Sequence, residues 1–370
     1  MNARTRKLDG LEDLRGIAAL IVLLHHAAGS IELPQNYDTR VFWGVFIEGT
    51  LGVNIFFVLS GFVIAYSNQK DGRSFREILI YILRRLARIF PAYWVVCLAA
   101  LPLYWKFAPA SIGEVTVSRI LHDLLLIPYD KPPMLGVAWT LVFEITFYLL
   151  FIPILIHRRA GFMLWSALVL AILALNGGDV RFSNPWAALL SSPLMLQFVA
   201  GMAVCWWTLK HPLSARSARA TLWTGAVLLF LFAVGECITG TDWVSNSHHY
   251  AVCAAIMIYG VVNLPPRESS VRGPGGRFLQ VLGRYSFSIY LIHVPIQKIL
   301  VKLALKVTGP EPGIIVILMV TLLLIAGSLT AGILLGKFFE IPFLGWCKTR
   351  IAKLKPHRPE PTSPAPPAPA

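Results

Sequence analysis

The sequence predicts an all-α membrane protein, a bundle of about ten transmembrane helices, and three observations point to this fold class. Hydrophobic residues make up 56% of the 370 residues and charged residues only 14%, whereas an average soluble domain has roughly 45–50% and about 25%. Apolar segments recur along the chain, and the stretches between them alternate between rich and poor in basic residues. The ten segments are 14–30, 51–67, 89–107, 137–156, 161–176, 187–209, 221–238, 249–264, 285–305 and 313–336.

This composition excludes several other classes of protein. Intrinsic disorder requires low hydropathy, and no short period of the kind found in collagen or coiled coils runs through the chain. A net charge of +14 would suggest nucleic-acid binding on a soluble protein. Here the basic side chains lie between apolar segments, so we expect membrane lipids around the bundle and no nucleic-acid partner.

The positions of Lys and Arg predict the orientation of the bundle, because basic loops stay in the cytoplasm. One set of loops carries clusters of them at 4–7, 70–88, 158–159, 210–219, 267–284 and 348–358. The alternate loops hold far fewer. We therefore expect a multi-pass protein of the inner (plasma) membrane with both termini cytoplasmic. We also expect one transmembrane domain over residues 1–350 and a disordered, Pro/Ala-rich tail over residues 351–370.

Two titratable side chains stand out in the first segment, because such groups are costly inside a bilayer and are functional candidates. Arg15 and His26 lie eleven residues apart, which on a helix is about 20° beyond three turns and a rise of about 16 Å. Both should lie on one face, whereas His25 points about 80° away from Arg15. The alternative is that Arg15 extends to the lipid surface and His26 packs against a backbone carbonyl.

Glu144 is the charged residue of the fourth segment, about 10 Å from its outer end, a depth close to that of His26. A carboxylate beside an imidazole can orient it and tune it as a general base. The alternative is a structural pair that joins Glu144 to an arginine or a tyrosine. Glu236 lies near an outer end of another segment.

Ser60 and Gly61 are small residues in the apolar second segment, a pattern that favours close helix packing. No neighbouring base is evident in the sequence, so we do not expect Ser60 to be a nucleophile. Arg85 and Arg88 lie three residues apart in the loop ahead of the third segment. On a helix they would form one face able to hold a phosphate, and a cytoplasmic basic flank is the alternative.

The ninth segment combines a histidine with a proline. Pro295 should open the helix and free carbonyl groups near His293. His293 either has a function or packs between helices. The cysteines and histidines show no spacing typical of a metal site, so we expect no metal.

Three of these patterns resemble motifs of the membrane-bound acyltransferase-3 family. LRGIAAL…H, with Arg15 and His26, is similar to the family's R-x10-H motif, and FFVLSGF, with Ser60, to its SGF segment. RLARIFPAYW, with Arg85 and Arg88, resembles its R-x-x-R motif.

Two further patterns complete the resemblance. AWTLVFEITFYLL, with Glu144 and Tyr148, is similar to the family's W-(S/T)-L…E-x-x-F-Y segment. YSFSIYLIHVPI, with His293, resembles its closing Y-S-x-Y-L-x-H-x-P segment. The five patterns occur in the family's order between about Leu8 and Pro295, and the number of apolar segments fits the family.

The resemblance implies an O-acyltransferase that moves an acyl group, usually acetyl, from cytoplasmic acyl-CoA to a hydroxyl group. The implied acceptors are sugars of exopolysaccharide or of lipid-linked glycans, and polysaccharide-assembly proteins are further expected partners. Acyl-CoA, typically acetyl-CoA, is then a co-substrate, and no cofactor is permanently bound.

For such a reaction, the chemistry of the motif residues suggests individual roles. Arg85 and Arg88 hold the phosphates of CoA, and His26 either deprotonates the acceptor hydroxyl or takes the acyl group itself. The catalytic candidates are His26, Arg15 and Glu144. Further candidates are Ser60, Tyr148 and His293.

Two other classes of function remain open. A multi-span transporter or exporter of a glycan-related substrate also carries intramembrane His, Glu and Arg. It would move substrate without consuming acyl groups and often has an internal repeat of spans, which is not visible here. A non-catalytic partner of a polysaccharide-export complex would tolerate the loss of His26.

Overall fold

The described part of the chain is a bundle of α-helices. The computed structural model describes residues 9–39, 50–70, 72–107, 115–178, 180, 182–239, 248–265 and 273–354. Within these residues the helices are α1 (Asp9–Glu32), α2 (Thr50–Ser67), α3 (Phe75–Phe107), α4 (Val117–Leu125), α5 (Trp139–Leu150), α6 (Ile152–Ile156), α7 (Arg158–Gly177), α8 (Pro185–Leu190), α9 (Met195–Lys210), α10 (Ala215–Thr239), α11 (His248–Asn263), α12 (Pro274–Thr308), α13 (Ile314–Leu335) and α14 (Ile341–Ala352). The predicted all-α class is confirmed.

Eight helical stretches of the described residues are long and apolar enough to cross a membrane. They are Gly10–Glu32, Phe75–Tyr104, Gly136–Ile156, Arg158–Gly177, Pro185–Lys210, Ala215–Glu236, Pro274–Thr308 and Ile314–Ala352. They cover eight of the ten predicted segments, and the other two segments coincide with the shorter helices α2 and α11. The count of ten spans and the cytoplasmic location of both termini stay predictions.

The loop predicted at residues 84–88 is wrong, because α3 begins at Phe75 and includes them. Ser74 and Glu77 explain this early start. The backbone N–H of Ser74 donates to the Glu77 carboxylate, and the N–H of Glu77 donates to the Ser74 hydroxyl. This reciprocal arrangement satisfies donors that the first helical turn leaves unpaired. Arg84, Arg85 and Arg88 therefore lie on a helix and not in a loop.

The predicted opening at Pro295 is also wrong, because α12 runs without a break from Pro274 to Thr308. A transmembrane helix tolerates a proline where neighbouring groups support the freed backbone. Here α1 packs closely along α12, and the side-chain amide of Gln297, two residues after Pro295, donates to the Leu23 carbonyl of α1 at 3.1 Å.

Helices α1, α2, α9 and α12 form the centre of the bundle, with α1 packed on α12 and α2 packed on α9. At the α2–α9 crossing, Gly61 faces the backbone of Phe198 so closely that a Cβ would collide with its carbonyl group. The side chain of Gln197 donates to Asn54 in the same crossing. Small residues and polar contacts of this kind hold helices together in lipid, as predicted for Ser60-Gly61.

The C-terminal part of the chain continues past α13 through a turn of π-helix, Gly336–Glu340, into α14. Glu340 is buried and accepts a hydrogen bond from Ser288 of α12. Because α14 ends at Ala352, it crosses the predicted domain boundary at residue 350 by two residues. The rest of the predicted tail, 355–370, and the basic cluster at 4–7 lie outside the described residues.

Candidate active site

A cavity of about 140 Å³ lies among α1, α2, α3, α5 and α12, and most of its polar lining consists of predicted site residues. We call it the arginine cavity. Its polar lining residues are Arg15, Ser60, Arg85, Arg88, Thr140, Glu144, Tyr148, Ser286 and Tyr290. Six of the eight candidates named from the sequence therefore meet in one place. His26 and His293 are not part of its lining.

Arg85 and Arg88 lie on the inward face of α3. Both are half-buried, whereas their neighbour Arg84 is exposed. The guanidinium of Arg85 lies over the rings of Tyr81 and Tyr148, 5.6 and 5.7 Å from the ring centroids. Its Nη2 donates to the Ser67 hydroxyl at 3.3 Å, and its Nε is buried with no hydrogen-bond partner among the described residues. Arg85 thus has one buried N–H donor that no described residue pairs.

Arg15 completes the positive charge of the cavity. It lies within electrostatic range of Arg88 as well as of Glu144 and Tyr148. Three guanidinium groups share the lining with a single carboxylate, that of Glu144. The cavity is therefore suited to an anion, since guanidinium groups match phosphate oxygens in geometry and charge.

Glu144 lies at the level of Arg15 rather than beside His26. It accepts hydrogen bonds from the Ser60 hydroxyl at 3.1 Å and from the Tyr148 hydroxyl. Because His26 lies about 16 Å further along α1 than Arg15, Glu144 does not orient it. The structure instead shows the alternative pairing with a tyrosine, and it gives Ser60 the carboxylate neighbour that the sequence did not reveal.

His26 contacts His293 across the α1–α12 interface. The Nδ1 of His26 lies 2.9 Å from the Val22 carbonyl oxygen and 3.3 Å from Nε2 of His293. The Nδ1 of His293 lies 3.1 Å from the carbonyl oxygen of Ile289. A carbonyl oxygen only accepts, so both Nδ1 atoms carry a proton in this assignment. The Nε2 of His26 is then left with a lone pair that can take a proton.

Tyr290 lies between the arginine cavity and the histidine pair. It lines the cavity, and its ring centroid is 5.9 Å from that of His293, one helical turn further along α12. Its hydroxyl is 2.7 Å from the Thr140 hydroxyl and 3.0 Å from the carbonyl oxygen of Val137. These contacts fix the start of α5 against α12. The two polar clusters are thus adjacent parts of one site.

A family model described as an acyltransferase domain (acyltransferase 3) matches residues 8–335. This span is most of the chain and contains every residue of the site just described. The chain belongs to the acyltransferase-3 family. The predicted family and the predicted enzyme class, an acyltransferase, are confirmed, and together with the apolar helices they make it a membrane protein.

Proteins similar to this acyltransferase have names that refer to acyl transfer or to exopolysaccharide production. It is 30% identical over 283 residues to the exopolysaccharide production protein ExoZ of Rhizobium meliloti. The aligned part is 72% of this chain and 83% of ExoZ. It is 27% identical to the acyltransferase MdmB of Streptomyces mycarofaciens, over 79% of this chain and 80% of the relative. It is 24% identical to the O-acetyltransferase OatA of Staphylococcus aureus, over 79% of this chain and 51% of that longer protein. No solved structure matches it.

Three polar residues of the cavity lining are not among the candidates from the sequence: Thr140, Ser286 and Tyr290. Tyr290 stands in the closing Y-L-x-H pattern three residues before His293, and Thr140 follows the tryptophan of the fourth segment. Outside the lining, Glu340 lies four residues after the last apolar segment and within electrostatic range of Arg88. In the sequence these residues could have been recognised as isolated polar residues that stand beside a motif or shortly after an apolar segment.

Proposed function

We propose that this membrane acyltransferase moves an acetyl group from acetyl-CoA to a hydroxyl group of a sugar in a cell-surface or exopolysaccharide precursor. The observation that carries the proposal is the convergence of Arg15, Arg85 and Arg88 on one cavity whose far wall, at Tyr290, adjoins the His26–His293 pair. Acyl-CoA is a thioester whose CoA part carries phosphates. Transfer of its acyl group therefore requires an anion site next to a base, here a paired imidazole.

The arginine cavity supports an acyl-CoA co-substrate, because CoA is the anionic part of the donor. Arg85 and Arg88 lie in the first half of α3, which belongs to the basic segment 70–88. That segment is on the cytoplasmic side if the positive-inside rule holds. Acyl-CoA therefore enters from the cytoplasm of a cell whose inner (plasma) membrane holds the protein. No permanently bound cofactor is part of the proposal.

His26 is the proposed catalytic base. Its Nε2 takes the proton of the acceptor hydroxyl, the hydroxyl oxygen bonds to the thioester carbon, and the carbon–sulfur bond breaks. The CoA thiolate leaves and receives that proton. In a second route His26 Nε2 bonds to the acyl carbon, the carbon–sulfur bond breaks and the CoA thiolate leaves. The acceptor oxygen then bonds to the acyl carbon as the bond to Nε2 breaks, and the hydroxyl proton passes through Nε2 to the thiolate. In both routes His293 is a positioning residue, because it fixes the tautomer of His26.

The names of two relatives support the acceptor class. ExoZ is an exopolysaccharide production protein and OatA an O-acetyltransferase. A sugar hydroxyl of a lipid-linked glycan or of an exopolysaccharide precursor is therefore the proposed acceptor. Membrane lipids surround the bundle, and polysaccharide-assembly proteins are the proposed protein partners.

The test compares the surface polysaccharide of cells with and without the gene. We expect the wild type to carry base-labile acetate on its sugar, measured by NMR per repeating unit, and the deletion strain to lose it. A plasmid copy should restore it, and a copy with His26→Ala should not. If the amount of polysaccharide falls while acetate per sugar stays constant, the protein is an exporter or a part of one, and the proposal is wrong.

A further inference from the structure

A second cavity, of about 380 Å³, lies beside the start of α5, at the opposite end of that helix from Tyr148. We call it the outer cavity. The residues that characterise it are His122, Tyr129, Asp130, Trp139, Phe182 and Ser192. They come from α4 and the loop after it, from the first turn of α5, and from the region of α8. None of them belongs to the site described above.

The lining of the outer cavity combines aromatic rings with a few polar groups. Tyr129 and Phe182 both line it and are 43% and 39% exposed. Asp130 and Lys131 are adjacent and compensate each other in charge, and Ser192 adds a hydroxyl. Flat apolar faces beside a few polar groups suit a ligand with both apolar and hydroxyl surfaces. A sugar ring has this chemistry.

The rim of the outer cavity is held in place by buried contacts. Arg119 and Asp123, one turn apart on α4, form a salt bridge at 3.4 Å and are 2% and 6% exposed. The Asp123 carboxylate accepts from the backbone N–H of Met134 at 3.0 Å. The guanidinium of Arg119 donates to the Pro132 carbonyl and lies 4.5 Å from the ring centroid of Tyr129. The loop after α4 is therefore pre-organised, which lowers the entropic cost of binding.

One layer of aromatic side chains separates the two cavities. Phe57 lines the arginine cavity, and its ring packs against Trp139 at 6.2 Å and Phe143 at 5.8 Å, both of which line the outer cavity. The next residue after Trp139, Thr140, lines the arginine cavity and contacts Tyr290. The start of α5 thus has one cavity on each side.

We infer that the outer cavity binds the sugar ring of the acceptor, on the side of the membrane opposite to the acyl-CoA. The inference rests on the proposed function, because it names the place of the acceptor in that reaction. The arginine cavity is positive and suits the anionic donor, whereas the outer cavity is aromatic and lies at the other end of α5. Its charged lining residues are Asp123, which is paired with Arg119, and the adjacent Asp130 and Lys131. The two substrates therefore approach α5 from opposite ends.

The test uses the full-length protein in lipid nanodiscs and oligosaccharides prepared from the surface polysaccharide of the source cells after removal of acyl groups with mild alkali. Calorimetry measures their Kd, and transfer from radiolabelled acetyl-CoA gives the KM of each substrate separately. Tyr129→Ala and Asp130→Asn should each raise the Kd and the KM for the oligosaccharide about tenfold, as expected for a lost contact in a pocket. The KM for acetyl-CoA and its hydrolysis without acceptor should stay unchanged.

Trp186→Ala is the matched control, because Trp186 is an aromatic residue of α8 that is 46% exposed and does not line the cavity. It should change none of these values. Equal oligosaccharide binding by the wild type and both cavity variants, or no binding by the wild type, would overturn the inference. If binding weakens in the variants while the wild type transfers no acetyl from acetyl-CoA, the sugar site stands and the proposed reaction is wrong.

Discussion

The helices at the centre of the bundle differ from those at its edge in how much protein covers them. In the most apolar stretches of α12 and α1, 56% and 50% of the residues are buried inside the protein. The corresponding shares are 17% in α7 and 11% in α10. Both groups are apolar enough to cross a bilayer, so hydropathy alone does not separate them.

The two groups do differ in the polar residues that they bury. Arg15 and His26 lie on α1, and α12 buries Ser286, Ser288, His293 and Gln297. A polar group facing lipid has no partner, whereas one facing a neighbouring helix can find one. The edge helix α10 buries Glu236 close to its end, where Tyr250 and His249 of α11 contact it. Buried polar residues therefore mark where one helix contacts another rather than lipid, and in α1 and α12 several of them lie at the site.

The largest expected effect comes from the adjacent histidines of the central helix α1. His26→Ala should lower the rate of acyl transfer by about 10²–10⁴-fold, as expected for the loss of a general base. His25→Ala should keep most of the activity, because it leaves in place the 3.3 Å contact between Nδ1 of His26 and Nε2 of His293. The rings of the two histidines lie 4.8 Å apart, edge to face, so His25→Ala should act mainly through packing.

Turnover of each variant is measured in membranes that contain equal amounts of folded protein. His293→Ala sharpens the comparison, because a positioning residue should alter the pH profile of the remaining activity and not only its size. A loss of activity in His25→Ala equal to that in His26→Ala would show that the contact with His293 does not select the base.

A smaller effect should follow from changes at the arginines of α3. Arg85→Ala combined with Arg88→Ala should raise the KM for acetyl-CoA by roughly tenfold or more, since charge-assisted hydrogen bonds to the phosphates are lost. Arg84→Ala is the control, because Arg84 lies on the same turn but is exposed and does not line the cavity. Steady-state kinetics with purified protein checks both. If the double variant inserts normally and keeps its KM, these arginines serve only as a topology signal.

Some of this site could be predicted from single segments. The pairing of Arg85 with Arg88 follows from their spacing on one helix, and the resemblance to a known family placed Arg15, Ser60 and Glu144 in motifs that meet at one cavity. Such predictions succeed because they depend on the geometry of one helix or on motifs already associated with one activity.

Other contacts depend on how distant segments pack, and sequence patterns do not carry that information. His26 and His293 are 267 residues apart and meet only because α1 packs along α12. The depth of Glu144 was misjudged because its level depends on how α5 lies beside α1. The early start of α3 was missed although Ser74 and Glu77 form a recognisable capping pattern. The third apolar segment begins only at residue 89, because the first turns of α3 are amphipathic and carry charged side chains.

The smallest effect on catalysis, and a direct test of the difference between centre and edge, comes from two glycines. Gly61→Ala should destabilise the protein by about 1–3 kcal/mol, the usual cost of overpacking, because the added Cβ collides with the backbone of Phe198 and forces α2 away from α9. Gly177→Ala, at the end of the edge helix α7, should be nearly neutral, since nothing lies within 4 Å of the added atom. Thermal unfolding in detergent measures both, and the activity of the folded fraction shows whether the cavity survives. Ser60 and Gly61 are adjacent, so a shift of α2 should also weaken the contact of Ser60 with Glu144. Equal unfolding temperatures for the two variants would mean that the α2–α9 crossing has room to spare and that the centre of the bundle is no more tightly packed than its edge.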